Sequence, residues 1–310
     1  MMAARPLISV VMPCFNAEKH LAASLASVFR QSYANLELIV VNDGSTDGSW
    51  SLLQSIGDPR LRVMDQANAG VCRARNQGIK AAKGELIAFL DADDTWHAEC
   101  LEKLYQGLCA APSAALAYCG WQNVGLPGGQ GEPYVPPDYE TADKLALLFE
   151  NCCWPIHACL SKKALIFEAG LFDESLVTSE DFLLWLKIGT RYPIQRVPEV
   201  LAFYHFHDGL QATRNKERAA LNHWNAQRVF LDRHPLAADK LGARRIRRLM
   251  HGELLRRGFE CYWKRDIRSA RIIFRKVMRH GYGSIRDWKY MLPSLLPLPL
   301  HQTLLQKFSQ

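Results

Sequence analysis

At 310 residues, 48% hydrophobic and 22% charged, the chain is too apolar for a disordered or fibrous protein and long enough for one large domain or two smaller ones. Its nine cysteines are odd in number, lie mostly in apolar runs and form no CxxC pair, which suits reduced cytosolic thiols better than a disulfide scaffold or a zinc site. The formal charge of +7 divides unevenly: residues 233–310 hold 18 Lys and Arg against 5 Asp and Glu, a net +13, whereas 1–232 hold 20 against 26, a net −6.

The opening MMAARPLISVVMP has no cleavage-like site, so Leu7–Met12 reads as a first strand ending at Pro13 and no export is implied. Leu21, Leu25, Val28 and Phe29 then recur at helical spacing. Leu36–Val41 is a second buried strand, running into Asn42-Asp43-Gly44-Ser45, where Ser45 or Thr46 is placed to cap a helix. Leu61–Met64 is a shorter third run, Gly70–Ala82 a helix stopped by Gly84, and Leu86–Leu90 a fourth strand. This alternation predicts an α/β fold, a Rossmann-like, doubly wound and mostly parallel sheet with helices on both faces.

Beyond a helix at Leu101–Leu108 come a strand at Ala114–Trp121, a Gly- and Pro-rich loop at Gly125–Pro137, and a helical pattern at 143–150. Cys152–Leu160 and Ala164–Ala169 follow, then a helix over 179–187 with Glu180 and Asp181 in its first turn, and a late strand, Val197–His205, entering His207-Asp208-Gly209. From about 215 the pattern is helical: Ala219–Leu231, then Ile246–Phe259 and Ile267–Met278 as a hairpin turning near Lys264–Asp266. Pro293, Pro297 and Pro299 break Leu292–Leu305. The chain thus divides into an α/β body, 1–214, whose halves meet near residue 95, and a basic helical region, 215–310. No window reaches the roughly 18 unbroken apolar residues of a membrane span.

Chemistry concentrates at strand ends. Leu86–Leu90 stops on Asp91-Ala92-Asp93-Asp94, and in open α/β sheets the crevice beyond the carboxyl ends of strands is where ligands bind. Hard oxygen ligands there suit Mg²⁺ or Mn²⁺ held against a phosphate. Asp43 ends a second strand, and four carboxylates in one crevice need a cation or donors to offset their repulsion. The Asp43-Gly44-Ser45 stretch alone is also ordinary turn chemistry.

Asp43-Gly44-Ser45-Thr46-Asp47, Asn68-Ala69-Gly70 with Ala74-Arg75-Asn76, Asp91-Ala92-Asp93-Asp94 and Glu180-Asp181 occur in the order and rough spacing of the family 2 glycosyltransferases of GT-A fold. Val10–Ala17 resembles that family's first strand and nucleotide loop, and Phe172-Asp173-Glu174 its lead-in to the base motif, so the resemblance covers about 6–210. It implies a nucleotide half near 1–95, an acceptor half near 96–214, a nucleotide-sugar donor, most often a UDP-sugar, and an Mg²⁺ or Mn²⁺ cofactor.

On this resemblance, Pro13, Phe15, Asn16, Ala17 and Asp43 would hold the base, Asn68, Asp91 and Ala92 would lie along the nucleotide, and Arg75 (or Arg73) would add positive charge. Asp93 would bind metal, with Asp94 auxiliary. Asp181 would be the general base of an inverting displacement, kept ionised by its place at a helix N-terminus, with Glu180 beside it. His205 and His207 alternate about Phe206 and so point to one side; His207 is taken as the metal ligand and His205 as auxiliary, the choice between them staying open. Trp154, among Cys152, Cys153 and Cys159, falls toward the acceptor side, where core packing competes with sugar stacking.

The implied acceptor is a glycan or lipid-linked hydroxyl of the kind assembled in polysaccharide or lipopolysaccharide synthesis, on a cytoplasmic protein peripheral to the membrane. Arg244-Arg245-Ile246-Arg247-Arg248 and Arg256-Arg257, interleaved with apolar residues, fit an anionic membrane surface, and no nucleic-acid motif accompanies them. Two rival readings stand: a haloacid-dehalogenase-like phosphatase using Asp91 and Asp93, and a non-catalytic nucleotide-sugar-binding scaffold.

Overall fold

A computed structural model describes residues 5–126, 128–207 and 215–307. The chain forms two compact units, one from Met1–Lys144 and Cys152–Gly209, the other from Leu145–Asn151 and Leu210–Gln310. The expected boundary near 214 and the Asp208-Gly209 loop lie outside the described residues.

In the first unit β1 (Ile8–Cys14), α1 (Glu18–Phe29), β2 (Leu36–Asp43), α2 (Ser49–Gln54), β3 (Leu61–Gln66), α3 (Val71–Ala81) and β4 (Leu86–Phe89) alternate as expected. There follow β5 (Thr95–Trp96), α4 (Cys100–Ala110), β6 (Leu116–Val124), β7 (Cys159–Lys162), α6 (Lys163–Glu168), α7 (Glu180–Gly189) and β8 (Ile194–His205); α5 (Lys144–Glu150), between β6 and β7 in the chain, belongs but for its first residue to the second unit. One sheet joins the strands in the order β3-β2-β1-β4-β7-β6-β8-β5. The β3-β2-β1-β4 portion is parallel, β7 is antiparallel to both neighbours, and β8 runs parallel to β6 while β5 runs antiparallel to β8. The sheet is therefore mixed, its parallel half being the one that alternation along the sequence foretells.

Every residue of β1 is buried, as a strand covered on both faces requires, and its sequence is accordingly apolar almost without a break. Pro13, expected to end the strand, lies inside it, opposite Val41. Pairing with β4 stops at Val11, so the missing proline N–H faces a side where no ladder partner remains. Gly78 lets α3 lie directly on β1: a Cβ there would stand 2.4 Å from Val11 Cγ1. Neither Ser45 nor Thr46 caps α2, whose N-cap is Gly48. Both are engaged elsewhere, as described below.

The second unit contains α5, whose last carbonyls have no partner within the helix itself. His223 Nε2 lies 2.9 Å from the Glu150 carbonyl, and Gln227 Nε2 donates to that of Phe149 at 2.8 Å. Both side chains belong to α8 (Lys216–Arg233), which is followed by α9 (Pro235–Leu241), α10 (Ala243–Arg247) and a π turn at Arg248–Gly252. The expected hairpin is α11 (Glu253–Trp263) and α12 (Ile267–Arg279), with Asp266 capping α12 through Ser269 N at 3.2 Å. The proline-broken end comprises α13 (Ile285–Met291), a 3-10 turn at Leu292–Leu295, and α14 (Leu298–Lys307). Among the described residues no helix is long and apolar enough to cross a membrane.

Candidate active site

Helix α3 is the hub of the first unit's polar centre. Arg75, 3% exposed, donates from Nη2 to Asp91 Oδ1 at 2.7 Å and from Nη1 to Glu180 Oε1 at 2.6 Å. One guanidinium thus ties the end of β4 to the start of α7. One residue on, Asn76 donates to the Phe172 carbonyl and to Glu174 and accepts from Phe172 N, all at 3.0 Å, and Cys72 Sγ lies 3.3 Å from the Leu176 carbonyl. Residues 72, 75 and 76, on one face of α3, therefore anchor the whole lead into α7. Of the two arginines expected to add positive charge, Arg75 is buried and engaged by these acids and Arg73 is exposed, as is Lys80 further along the helix. Burial alone would push the Arg75 pKa down, but Asp91 and Glu180 hold it above its usual value.

Asp181 follows Glu180 in the first turn of α7, entered through Ser179 in the left-handed region at φ 64°. Its Oδ1 accepts from Phe182 N at 2.7 Å. Burial first, then the negative charge of Glu180, push its pKa up to about 7 against the opposing pull of Arg75. At the head of α7, burial and a like charge thus act on this carboxylate against the helix dipole that favours its ionised form.

The strand-end acids divide by exposure. Asp93 Oδ2 and His207 Nε2 lie 3.0 Å apart, both side chains partly exposed, and the His20 ring of α1 packs 4.2 Å from that of His207. Asp94 is fully buried, accepts from His205 N at 2.9 Å, and has Oδ2 3.1 Å from His157 Nδ1. Burial, then Asp93 and Asp91, raise the Asp94 pKa well above the carboxylate range, while burial lowers that of His157 to about 4. Asp94 thus pins the acidic loop to β8. His205 Nε2 pairs with Thr95 Oγ1 at 2.8 Å, so the two histidines have different partners, and burial lowers the His205 pKa. Ala92 is buried between the acids.

Asp43 does not join this group. β1 lies between β2 and β4, and the Asp43 carboxylate is occupied by Gln66 Nε2 at 2.7 Å, Ala69 N at 2.8 Å and Gly70 N at 2.9 Å. It shapes the exposed Asn68 loop at the head of α3. Gly44, at φ 71°, permits the close approach, because a Cβ there would stand 2.7 Å from Asn68 N. The loop after β1 is tied to the loop after β2: Asn16 N donates to Ser45 Oγ at 3.0 Å, Thr46 N to Asn16 Oδ1 at 2.8 Å, and Ala17 N to Ser49 Oγ at 2.9 Å. Phe15 is left exposed at this lip and Pro13 is buried behind it. Trp154 is core, stacked on Tyr118 with ring centroids 4.5 Å apart.

Sequence reading missed His20 and His157. His157 carried a sign, a histidine inside the apolar Cys152–Leu160 run, whereas nothing marked His20 on the first helix. Among the described residues no group of three or more His, Cys, Asp or Glu side chains converges on a metal position. Asp93 and His207 nonetheless offer one carboxylate oxygen and one imidazole nitrogen side by side. That pair fits Mg²⁺ or Mn²⁺, which leave further positions to phosphate and water.

A mixed sheet with its acids at the end of β4 and a carboxylate pair on a facing helix has the architecture of the GT-A fold. The chain belongs to glycosyl transferase family 2, whose sequence profile matches residues 9–164. An uncharacterized glycosyltransferase of Rickettsia typhi is 32% identical over 66% of this chain and 65% of its own length. The UDP-Glc:alpha-D-GlcNAc-diphosphoundecaprenol beta-1,3-glucosyltransferase WfgD of Escherichia coli is 33% identical over 59% of this chain and 69% of its own. In fold, the chain is similar to the mannosyltransferase PcManGT of Pyrobaculum calidifontis, solved with GDP-Man and Mn²⁺, at TM-score 0.61 and 18% identity over 96% of this chain and 83% of that one. It is also similar to S. aureus TarS 1-349 in complex with UDP-GlcNAc, at TM-score 0.57 and 17% identity over 88% of this chain and 92% of that one.

Proposed function

We propose that the chain is an inverting, metal-assisted glycosyltransferase moving a sugar from a nucleoside diphosphate donor, a UDP-sugar before others, to a hydroxyl of a glycan or lipid-linked acceptor. One observation carries the reading: Arg75 grips Asp91 and Glu180 together, so the acids of β4 and the Asp181 turn of α7 form one centre. The UDP-Glc of the similar Escherichia coli glucosyltransferase and the UDP-GlcNAc of the TarS complex support the donor class, and the former's diphosphoundecaprenol substrate supports a lipid-linked acceptor.

Asp181 takes the proton of the acceptor hydroxyl as that oxygen bonds to the anomeric carbon. The bond from that carbon to the diphosphate oxygen breaks on the opposite face, and the configuration inverts. Asp93 and His207 would hold Mg²⁺ or Mn²⁺, which supplies charge neutralisation on the departing diphosphate. Asp91 is oriented by Arg75 toward the ribose or diphosphate, and Asp94 and His205 hold the acidic loop in place. The loop shaped by Asp43, with Asn16, Ala17 and Phe15 opposite, frames the base. A phosphatase nucleophile at Asp91 is disfavoured because its Oδ1 is already engaged by the buried Arg75.

The test is calorimetric titration with UDP-, GDP- and dTDP-sugars in Mn²⁺, followed by an assay of slow donor hydrolysis. One donor class is expected to bind and to release its diphosphate, and both effects should drop about 10²-fold or more in Asp93→Ala or on chelation. Failure of every donor to bind the folded protein would overturn the assignment.

A further inference from the structure

Between α13 and α14 the usual distribution of side chains is reversed. Leu292 and Leu295, three apart in a 3-10 turn and so on one side of it, are exposed together with Leu296, Leu300 and Ile285; Ile285 is 91% accessible, Leu295 59% and Leu300 56%. The other side buries Met291, Ser294 and His301 completely. A serine and a histidine lie inside while five large aliphatic side chains lie outside.

Two arginines of α12 hold this arrangement. Arg275 donates from Nε to the Ser294 carbonyl at 2.8 Å and from Nη2 to that of Leu295 at 3.3 Å, and Arg271 donates from Nη2 to the Leu296 carbonyl. Arg271 Nη1 also lies 3.3 Å from His301 Nδ1, and burial, then the two arginine charges, lower the His301 pKa. These contacts satisfy carbonyls of the proline-bounded turn from inside and fix the leucines outward.

An apolar patch of this kind marks a surface that meets another apolar body, and its rim identifies that body. Residues 264–307 carry ten Lys and Arg against two Asp and Glu. Arg268, Ile272, Arg275 and Arg279 form one stripe of α12 at helical spacing, and Arg286 and Lys289 are exposed on α13. Trp263, exposed, has its ring 5.7 Å from that of Tyr290, adding an amphipathic aromatic pair. Hydrocarbon bordered by cations and aromatics complements a bilayer with anionic headgroups, where leucines enter the acyl boundary and arginines meet phosphates.

We propose that Ile285 and the Leu292–Leu300 turn insert into an anionic lipid surface, with Arg268, Arg279, Arg286 and Lys289 on the headgroup phosphates. This surface is independent of the transferase reading, and its test uses no activity assay. The full chain is sedimented with phosphatidylcholine vesicles, with and without phosphatidylglycerol, at low and high salt. Wild type should bind the anionic vesicles at low salt and leave the neutral ones. Leu292→Ser/Leu295→Ser/Leu296→Ser should lose about tenfold or more in partitioning, and Arg286→Glu/Lys289→Glu should lose binding chiefly at low salt, circular dichroism showing both folded. Absence of wild-type binding, or equal binding by the leucine variant, would overturn the proposal. So would a wild-type dimer in light scattering that the leucine variant abolishes without any vesicle binding, because the face would then belong to a second copy of the chain.

Discussion

The two units depart from the rule of apolar inside and polar outside in opposite directions. The first buries ionisable groups: Arg75, Glu180 and Asp94 are all buried, the first two paired with each other. The second exposes hydrocarbon at Ile285 and the leucines from 292 to 300 while burying Ser294 and His301. Buried charge is tolerated where partners are fixed, and such a network is valuable for holding geometry more than for net stability. Exposed hydrocarbon held outward by hydrogen bonds has no internal compensation, so its purpose lies outside the chain. The same kind of departure therefore means pre-organised chemistry in one unit and an outward-facing contact in the other.

The largest effect expected from breaking the first unit's side is on rate. Asp181→Asn should lower transfer about 10²–10⁴-fold while leaving donor binding nearly unchanged, a split that calorimetry and kcat/KM measure together. Wild-type kcat should rise with pH and level off above about 7, where the base ionises. Stability should move in the reverse sense: from the unfolded value of 3.8 up to about 7 the folded state holds a proton that the unfolded chain has lost, so stability falls as pH rises through that window. Asp181→Asn should remove that slope. A rate profile flat down to pH near 5 would show that burial does not govern this carboxylate.

Much of the first unit was legible because its information is local. The runs at Leu36–Val41 and Leu86–Leu90 became strands, and the acid motifs stood where strands end. The partners of those motifs were not legible. Arg75 and Asn76 meet residues about a hundred positions away, at 172–180, and no period or propensity encodes such a pairing. Asp43 looked like Asp91 because both end buried strands; that β1 lies between them, and that one meets Gln66 and the 69–70 backbone while the other meets Arg75, comes from the fold and not from either motif. In the second unit the three prolines marked a broken helix correctly, but the outward turn of its leucines depends on Arg271 and Arg275.

Stability measurements sharpen the comparison next. Arg75→Met should cost about 3–5 kcal/mol in urea denaturation, because it leaves the buried Glu180 and the half-buried Asp91 without their cation. Adding Glu180→Gln should restore part of that loss, since one of the two orphaned charges disappears; a double variant no better than the single would mean that Arg75 matters for packing alone.

The smallest effect belongs to the second unit. Leu295→Ser, though it removes a larger side chain than many core substitutions do, should change stability by no more than about 0.5 kcal/mol, because the leucine already faces water in the folded chain. The measurement is the same urea titration, run at two protein concentrations. A loss above about 2 kcal/mol would mean that the side chain is packed against something in solution, and a loss that grows with protein concentration would identify that body as another copy of the chain. A near-zero result beside the large Arg75→Met effect would make the contrast quantitative: charge whose removal the fold does not tolerate in one unit, hydrocarbon that the fold does not use in the other.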